Sequence, residues 1–262
     1  MFTSLIGKGQ GLLYGFFAYV GELAVLFYRI VTAVFLPPFS GYRFLSQAKR
    51  VGPGSFFIVS LIGFFVGMII ALQMAYMMVR LSAEIYIPNV IAVSLTRELG
   101  PVLTALIVAG RVGAGITAEI GTMVVTEQVD ALRAFAVNPV RYLAVPRFLA
   151  LAVMLPVLTV FAVLLGIYGG FLICNLKLGV TQNMYWQMVQ DSLAIKDIVT
   201  GLSKTVFFGM IIALVGCHEG LHVQGGADGV GKSTTMAVVR SFIMIIMFDC
   251  LFTFIFYFLF NA

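Results

Sequence analysis

The stretch RVGAGITAEIGTMVVTEQVDALRAFAVNP, Arg111–Pro139, decides how the chain is organised. Apolar runs long enough to cross a bilayer flank it on both sides. Within it the chain turns polar and reads VTEQVDALRAF, with Glu127, Asp130 and Arg133 spaced by three. On a helix that spacing gathers the charges on one side and leaves Val125, Val129, Leu132 and Ala136 on the other. Asn138-Pro139 then stops the helix, because the residue before a proline is pushed out of the helical region. A short amphipathic helix over 125–136, set between two membrane spans, must lie on the membrane surface or against another protein. We read it as a docking point for a partner.

Composition sets the broad class. Hydrophobic residues make up 61% of the 262 and charged residues 10%, far from the near-even apolar share and roughly one-quarter charge of a soluble domain. The chain is expected to be an all-α polytopic membrane protein. Its net charge of +5 then reads as loop charge that sets orientation, with no nucleic-acid partner implied. Cys174, Cys217 and Cys250 fall in or beside apolar runs without paired spacing, which suits packing better than a disulfide or a metal. Residues 1–11 lead into a longer, interrupted apolar segment with no small-residue cleavage site, so no cleavable signal is expected.

Working outward, five spans are expected at about 56–79, 90–110, 143–174, 198–217 and 237–260. The first carries Gly63-x-x-x-Gly67, a spacing that allows close helix approach. Its polar exception is Gln73, read as an interhelical hydrogen-bonding residue. The second holds Arg97 and Glu98 and a kink at Gly100-Pro101. The third, at 1.5 Å per residue, would cover about 48 Å against roughly 30 Å of hydrocarbon, so it protrudes, tilts or bends at Pro156. Residues 1–40 form an N-terminal segment whose apolar part, Gly11–Phe35, carries Glu22 and Arg29 on one helical face and ends at Pro37-Pro38. A helix lying in the interface accommodates those charges at less cost than a span. Residues 41–54 read as a basic linker, and 175–197 as a polar loop bearing Trp186, the single tryptophan.

Lysine and arginine counts orient the chain. Lys8, Arg29, Arg43, Lys49, Arg50, Arg111, Arg133, Arg141, Arg147, Lys232 and Arg240 fall on one side; Arg80, Arg97, Lys177 and Lys196 fall on the other. Eleven against four places the amino terminus and the amphipathic helix in the cytoplasm and the carboxyl terminus outside. If Gly11–Phe35 also crossed, only the amino terminus would move. No internal repeat supports the inverted duplication of secondary transporters.

Arg97, Glu98 and Lys204 lie roughly 10 Å inside the outer ends of their spans, a depth at which charged groups face a partner or a wet cavity. One reading is a Glu98–Lys204 pair pinning two helices while Arg97 snorkels to the headgroups. The other is a cavity open to the outer side that carries one net positive charge and suits an anionic headgroup. Asp249, in mid-span, has no evident partner.

Two enzyme motifs share one loop. Gly226–Ser233 fits G-x-x-x-x-G-K-[ST], but a phosphate loop needs a strand and an α/β domain around it, and none fits between two spans. His218-Glu219-Gly220-Leu221-His222 fits H-E-x-x-H, yet the helix is ending there and a third zinc ligand is lacking. Both are taken as chance matches: no nucleotide and no metal bound by this chain, and no catalytic residues.

The words RELGPVLTALIVAGRVGAGITAEIGTMVVTEQVDALRAFAVNPVRYLAVPR (Arg97–Arg147) and GGADGVGKSTT (Gly225–Thr235) closely resemble the MlaE/YrbE-type permeases of lipid ABC transporters, from the basic stretch onward. Lys232 stands where arginine is the commoner residue, which completes the accidental phosphate-loop pattern. The resemblance implies a permease transmembrane domain over 41–262 that pairs as a homodimer in a bacterial inner membrane. Each copy would rest on a cytosolic ABC ATPase, where ATP and magnesium are bound. The amphipathic helix would be the coupling helix, with Glu119, Glu127, Asp130 and Arg133 at the ATPase contact. A phospholipid cavity near Arg97, Glu98, Lys204, Gln73 and Leu99 would open to the periplasm under a ring of MCE-domain subunits, and a small STAS-like protein would join the ATPase. The alternatives are an ion-coupled secondary carrier of lipids or small molecules, an intramembrane metalloprotease and a purely structural subunit.

Overall fold

The structure, a computed structural model, describes residues 2–34, 41–81 and 83–260. The described residues are helical throughout apart from short connections, as a chain in lipid requires: only a helix satisfies its own backbone donors and acceptors without water. In order these are α1 (Phe2–Val34), α2 (Gly41–Met78), α3 (Ile87–Ser94), α4 (Gly100–Val108), α5 (Ala114–Val125), α6 (Gln128–Ala134), α7 (Val145–Leu178), α8 (Gln182–Ser192), α9 (Ile195–Leu221) and α10 (Gly226–Phe260). Single π turns at Leu95–Leu99 and Ala109–Gly113 fuse α3, α4 and α5 into one helical run, and a third at Val140–Ala144 leads into α7.

Among the described residues six helical segments are long and apolar enough to cross a membrane, one more than expected. The sixth is Phe17–Val34; Pro37-Pro38, expected to end it, lies outside the described residues. The stretch 41–54, expected as a linker, is helical and forms the first turns of α2, with Pro53 inside. The helix that carries the second span continues past Gly110 to Val125. Its 42 residues would extend about 63 Å, so the helix stands well clear of the hydrocarbon. The amphipathic helix is correspondingly short, seven residues of α6. The loop expected over 175–197 contains α8, where buried Tyr185 donates from its hydroxyl to the Ile167 carbonyl at 2.8 Å. Burial pushes that phenol's pKa up, which keeps it a neutral donor.

Glycine and alanine set the helix packing. The most extensive contact joins α2 to α7, which run parallel with Gly63 against Ala162 and Gly67 against Gly166. A Cβ on Gly67 would sit 1.8 Å from the Gly166 carbonyl oxygen, so only glycine permits the approach. The second partner, Ala162-x-x-x-Gly166 with Gly169 and Gly170, was not singled out in the sequence. Helix α9 runs antiparallel to α7, with Gly209 against the Leu151 carbonyl, and parallel to the α3–α5 run, with Gly201 against the Thr96 carbonyl. Thr117 reinforces that crossing by donating to both Gly113 and Gly216 carbonyls at 3.1 Å. Ion pairs Lys204–Asp249 and Glu219–Arg240 set α10 antiparallel to α9.

These directions give the bundle two distinct ends. One end carries α6 and the starts of α2 and α7; the other carries α8 and the start of α9. Helix α1 docks at the α6 end, where Leu23, Leu26 and Ile30 are buried. Tyr19 lies edge-on to His218 at 5.1 Å, and Phe27 packs on Phe148 near the start of α7 at 5.9 Å.

Candidate functional site

At the α8 end the structure brings Arg97, Glu98 and Lys204 together. The π turn Leu95–Leu99 inserts one extra residue into the helix, an irregularity frequent at functional sites, and sets Arg97 and Glu98 opposite the first turns of α9. The Lys204 ammonium is 2% exposed and spends its three protons on Glu98 Oε2 at 2.7 Å, Asp249 Oδ1 at 3.0 Å and Thr253 Oγ1 at 2.7 Å. A buried ammonium demands this saturation. Arg97, about half exposed, is paired: its Nε meets Asp197 Oδ1 at 3.2 Å, while Asp197 Oδ2 accepts from the Ala194 N–H at the start of α9.

Beside this cluster is a cavity of about 310 Å³ lined by Arg97, Glu98, Lys196, Thr200, Lys204 and Thr253, with Phe256 and Tyr257 forming its apolar wall. Arg97, Lys196, Lys204 and Glu98 line the cavity itself, and Asp197 and Asp249 pair with Arg97 and Lys204 from outside that lining. The Glu98–Lys204 pair of the first reading is present. Leu99 is partly exposed next to the cluster, and Gln73 is exposed on α2, outside the cavity lining and, among the described residues, without a side-chain hydrogen bond.

At the α6 end the run ends at Val125, turns at Thr126 and Glu127, and forms α6. Glu127 (φ 59) and Ala136 (φ 58) both take the left-handed conformation, which costs a residue with a side chain roughly 1–2 kcal/mol. These two positions break the helix on either side of α6 and make it a separate, projecting element. Val129 is buried beneath it, while Glu127, Asp130 and Arg133 face outward, the last two paired at 2.9 Å. Glu119 is placed differently from these three: it lies inside α5, held by Arg50 at 2.5 Å and by buried Arg147 at 3.1 Å. Phe135, 80% exposed at the tip of α6, was missed.

The enzyme motifs fall into place as structure. Gly226–Ser233 forms the first two turns of α10, so a helix replaces the loop that would wrap a phosphate. His218 Nε2 is hydrogen-bonded to Glu22 of α1 at 3.1 Å, and His222, at the end of α9, bonds the His218 carbonyl through Nδ1. Glu219 is engaged by Arg240, whose guanidinium lies 4.3 Å above the Tyr19 ring. This polar cluster ties α1 to α9 and α10. Asp197, Thr253 and Arg147 were also missed, because their partners lie roughly 30 to 155 residues away in sequence.

A polytopic helical bundle with a charged cavity at one end and a projecting amphipathic element at the other has the parts of a membrane transport subunit. Comparison with known proteins makes this particular. The family model for the MlaE permease matches residues 44–255. A probable ABC transporter permease protein of Rickettsia typhi is 41% identical over 89% of this chain and 90% of its own length. One from a Synechocystis species is 41% identical over 86% and 89%. The intermembrane phospholipid transport system permease protein MlaE of Haemophilus influenzae is 36% identical over 80% of each. The chain belongs to the MlaE permease family; it is an ABC-transporter permease subunit and not an enzyme.

Proposed function

We propose that this chain moves phospholipids between the inner and outer membranes of a bacterial envelope, driven by a separate cytosolic ATPase, and so maintains outer-membrane lipid asymmetry. The name of the Haemophilus influenzae relative supports the substrate class. The single observation that carries the mechanism is the division of the bundle: a headgroup-sized charged cavity at one end and a projecting, partly charged α6 at the other.

In this reading the α6 end is cytoplasmic, as the lysine and arginine counts require, and the carboxyl terminus is periplasmic. Tyr19 and Phe27 both contact the bundle at that same end, which supports α1 as an interfacial helix and five spans in all. Glu127, Asp130, Arg133 and Phe135 contact the ATPase, and Glu119 ties α5 to α2 and α7 behind them. Arg97, Glu98 and Lys204 receive the headgroup, its phosphate drawn to the half-exposed Arg97 and Lys196 and any amine to Glu98. Leu99 and Gln73, free on the surface of one copy, face lipid chains or the second copy of a homodimer. An MCE-domain ring caps the periplasmic side, and a STAS-like protein joins the ATPase.

The test is co-purification followed by reconstitution. The chain retains an ATPase in detergent, and vesicles holding both move labelled phospholipid only with ATP. Transport without any ATPase, dependent on Glu98 protonation, would establish the ion-coupled carrier instead.

A further inference from the structure

We propose a second lipid site at the α6 end: a pocket between α2 and the Ala109–Gly113 turn that holds the phosphate of an anionic phospholipid from the cytoplasmic leaflet. Only the choice of leaflet rests on the orientation above. The pocket, of about 190 Å³, is lined by Gln47, Arg50, Arg111, Gly115 and Glu119.

Its charges do not balance. Arg111 rides on a π turn, donates one N–H to Ser55 Oγ at 2.9 Å, and among the described residues has no carboxylate within 4 Å. Glu119 is the one carboxylate in the pocket wall and is already shared by Arg50 and Arg147. Arg50 and Arg111 thus line the pocket against a single carboxylate, which buried Arg147 also engages from behind. Gly54 leaves the room this needs, since a Cβ there would lie 3.0 Å from the Arg111 guanidinium. The planar fork of arginine matches two phosphate oxygens at once, and Arg111 keeps N–H groups free for them.

Position selects a lipid as the source of that phosphate. Ser55 immediately precedes the apolar run of α2, and Phe57 and Leu61 follow Arg50 at helical spacing, both exposed where hydrocarbon would lie. A phosphodiester on Arg50 and Arg111 therefore places its acyl chains along Phe57 and Leu61. Basic pockets between spans on the cytoplasmic side bind anionic headgroups in this way. A phosphatidylglycerol-type head fits best, because a zwitterionic head would bring its own cation against the arginines.

The full chain in phosphatidylcholine vesicles, doped with a trace of headgroup-photoreactive phosphatidylglycerol, tests the assignment by mass-spectrometric mapping of crosslinked peptides. Crosslinks are expected within 47–55 and 111–119. They should fall at least tenfold in Arg50→Gln/Arg111→Gln and persist in Arg50→Lys/Arg111→Lys. Size-exclusion profiles establish that each variant is folded. Labelling confined to the cavity near Lys204, equal labelling by photoreactive phosphatidylcholine, or no loss in the folded glutamine pair would overturn the proposal. Full competition by inorganic phosphate would show a free-phosphate site and overturn the lipid assignment. Side-specific labelling of Ala131→Cys reads orientation separately. Occupancy from the opposite leaflet supports the site and overturns only the orientation.

Discussion

Lys204→Met separates the structural role of the charged cluster from its transport role. The wild-type ammonium is almost wholly buried and bonded to Glu98, Asp249 and Thr253. Removing one partner of a buried ion pair costs about 3–5 kcal/mol, because the remaining charge is left uncompensated; here two carboxylates are left facing each other. For a chain of this size that corresponds to a fall of roughly 6–20 °C in melting temperature. Replacing the whole set, in Lys204→Met/Glu98→Gln/Asp249→Asn, removes charge while nearly conserving volume. Such replacements are often close to neutral, so the triple variant should melt within roughly 4 °C of wild type. Thermal unfolding of the purified full chain measures the first quantity. ATP-driven movement of labelled phospholipid in reconstituted vesicles measures the second. The single variant is expected to be unstable and inactive, the triple variant stable and inactive. A triple variant as unstable as the single one would show that the ion-pair geometry is not what the lysine supplies. A stable triple variant transporting at the wild-type rate would reduce the cluster to a clip between helices.

Gly67→Leu should prevent the α2–α7 approach, since even a Cβ would lie 1.8 Å from the Gly166 carbonyl oxygen; loss of the monodisperse full chain on size exclusion checks this. Arg133→Asp should leave the melting temperature nearly unchanged, because an exposed pair such as Asp130–Arg133 contributes at most about 1 kcal/mol, yet should uncouple ATP hydrolysis from transport in a reconstituted assay. Phe135→Ala should weaken ATPase binding roughly 30-fold, the loss of about 2 kcal/mol typical of an aromatic anchor, as read by pull-down titration. Ala136→Gly should stabilise the chain by about 1 kcal/mol by removing side-chain strain at a positive φ, visible as a small rise in melting temperature.

Much of the candidate site was legible before any coordinates, for a physical reason. The free energy of placing a charge in hydrocarbon is large whatever the fold, so Arg97, Glu98 and Lys204 stand out from residue type and position alone. The projecting helix was legible from the spacing of Glu127, Asp130 and Arg133, because helical periodicity is local. Its length was not: the helix before it continues through Arg111 to Val125, held by Thr117 and Gly121 against α9 and the residues beyond it. Phe135 and the role of Glu119 depended on which face meets the bundle. Periodicity alone does not say whether a side chain faces solvent or a neighbouring arginine.

By itself the sequence determined what bilayer physics dictates residue by residue: an all-α membrane protein, the approximate place of five of the six described segments long and apolar enough to cross a membrane, the polar interruption between two of them, and a glycine spacing able to bring helices together. Tertiary structure alone decided the partners. Lys204 answers Glu98 across 106 residues and Asp249 across 45, His218 answers Glu22 across 196, and Gly67 finds Gly166. Each pairing follows from how rigid helices pack side by side, a long-range choice that no local window of sequence contains.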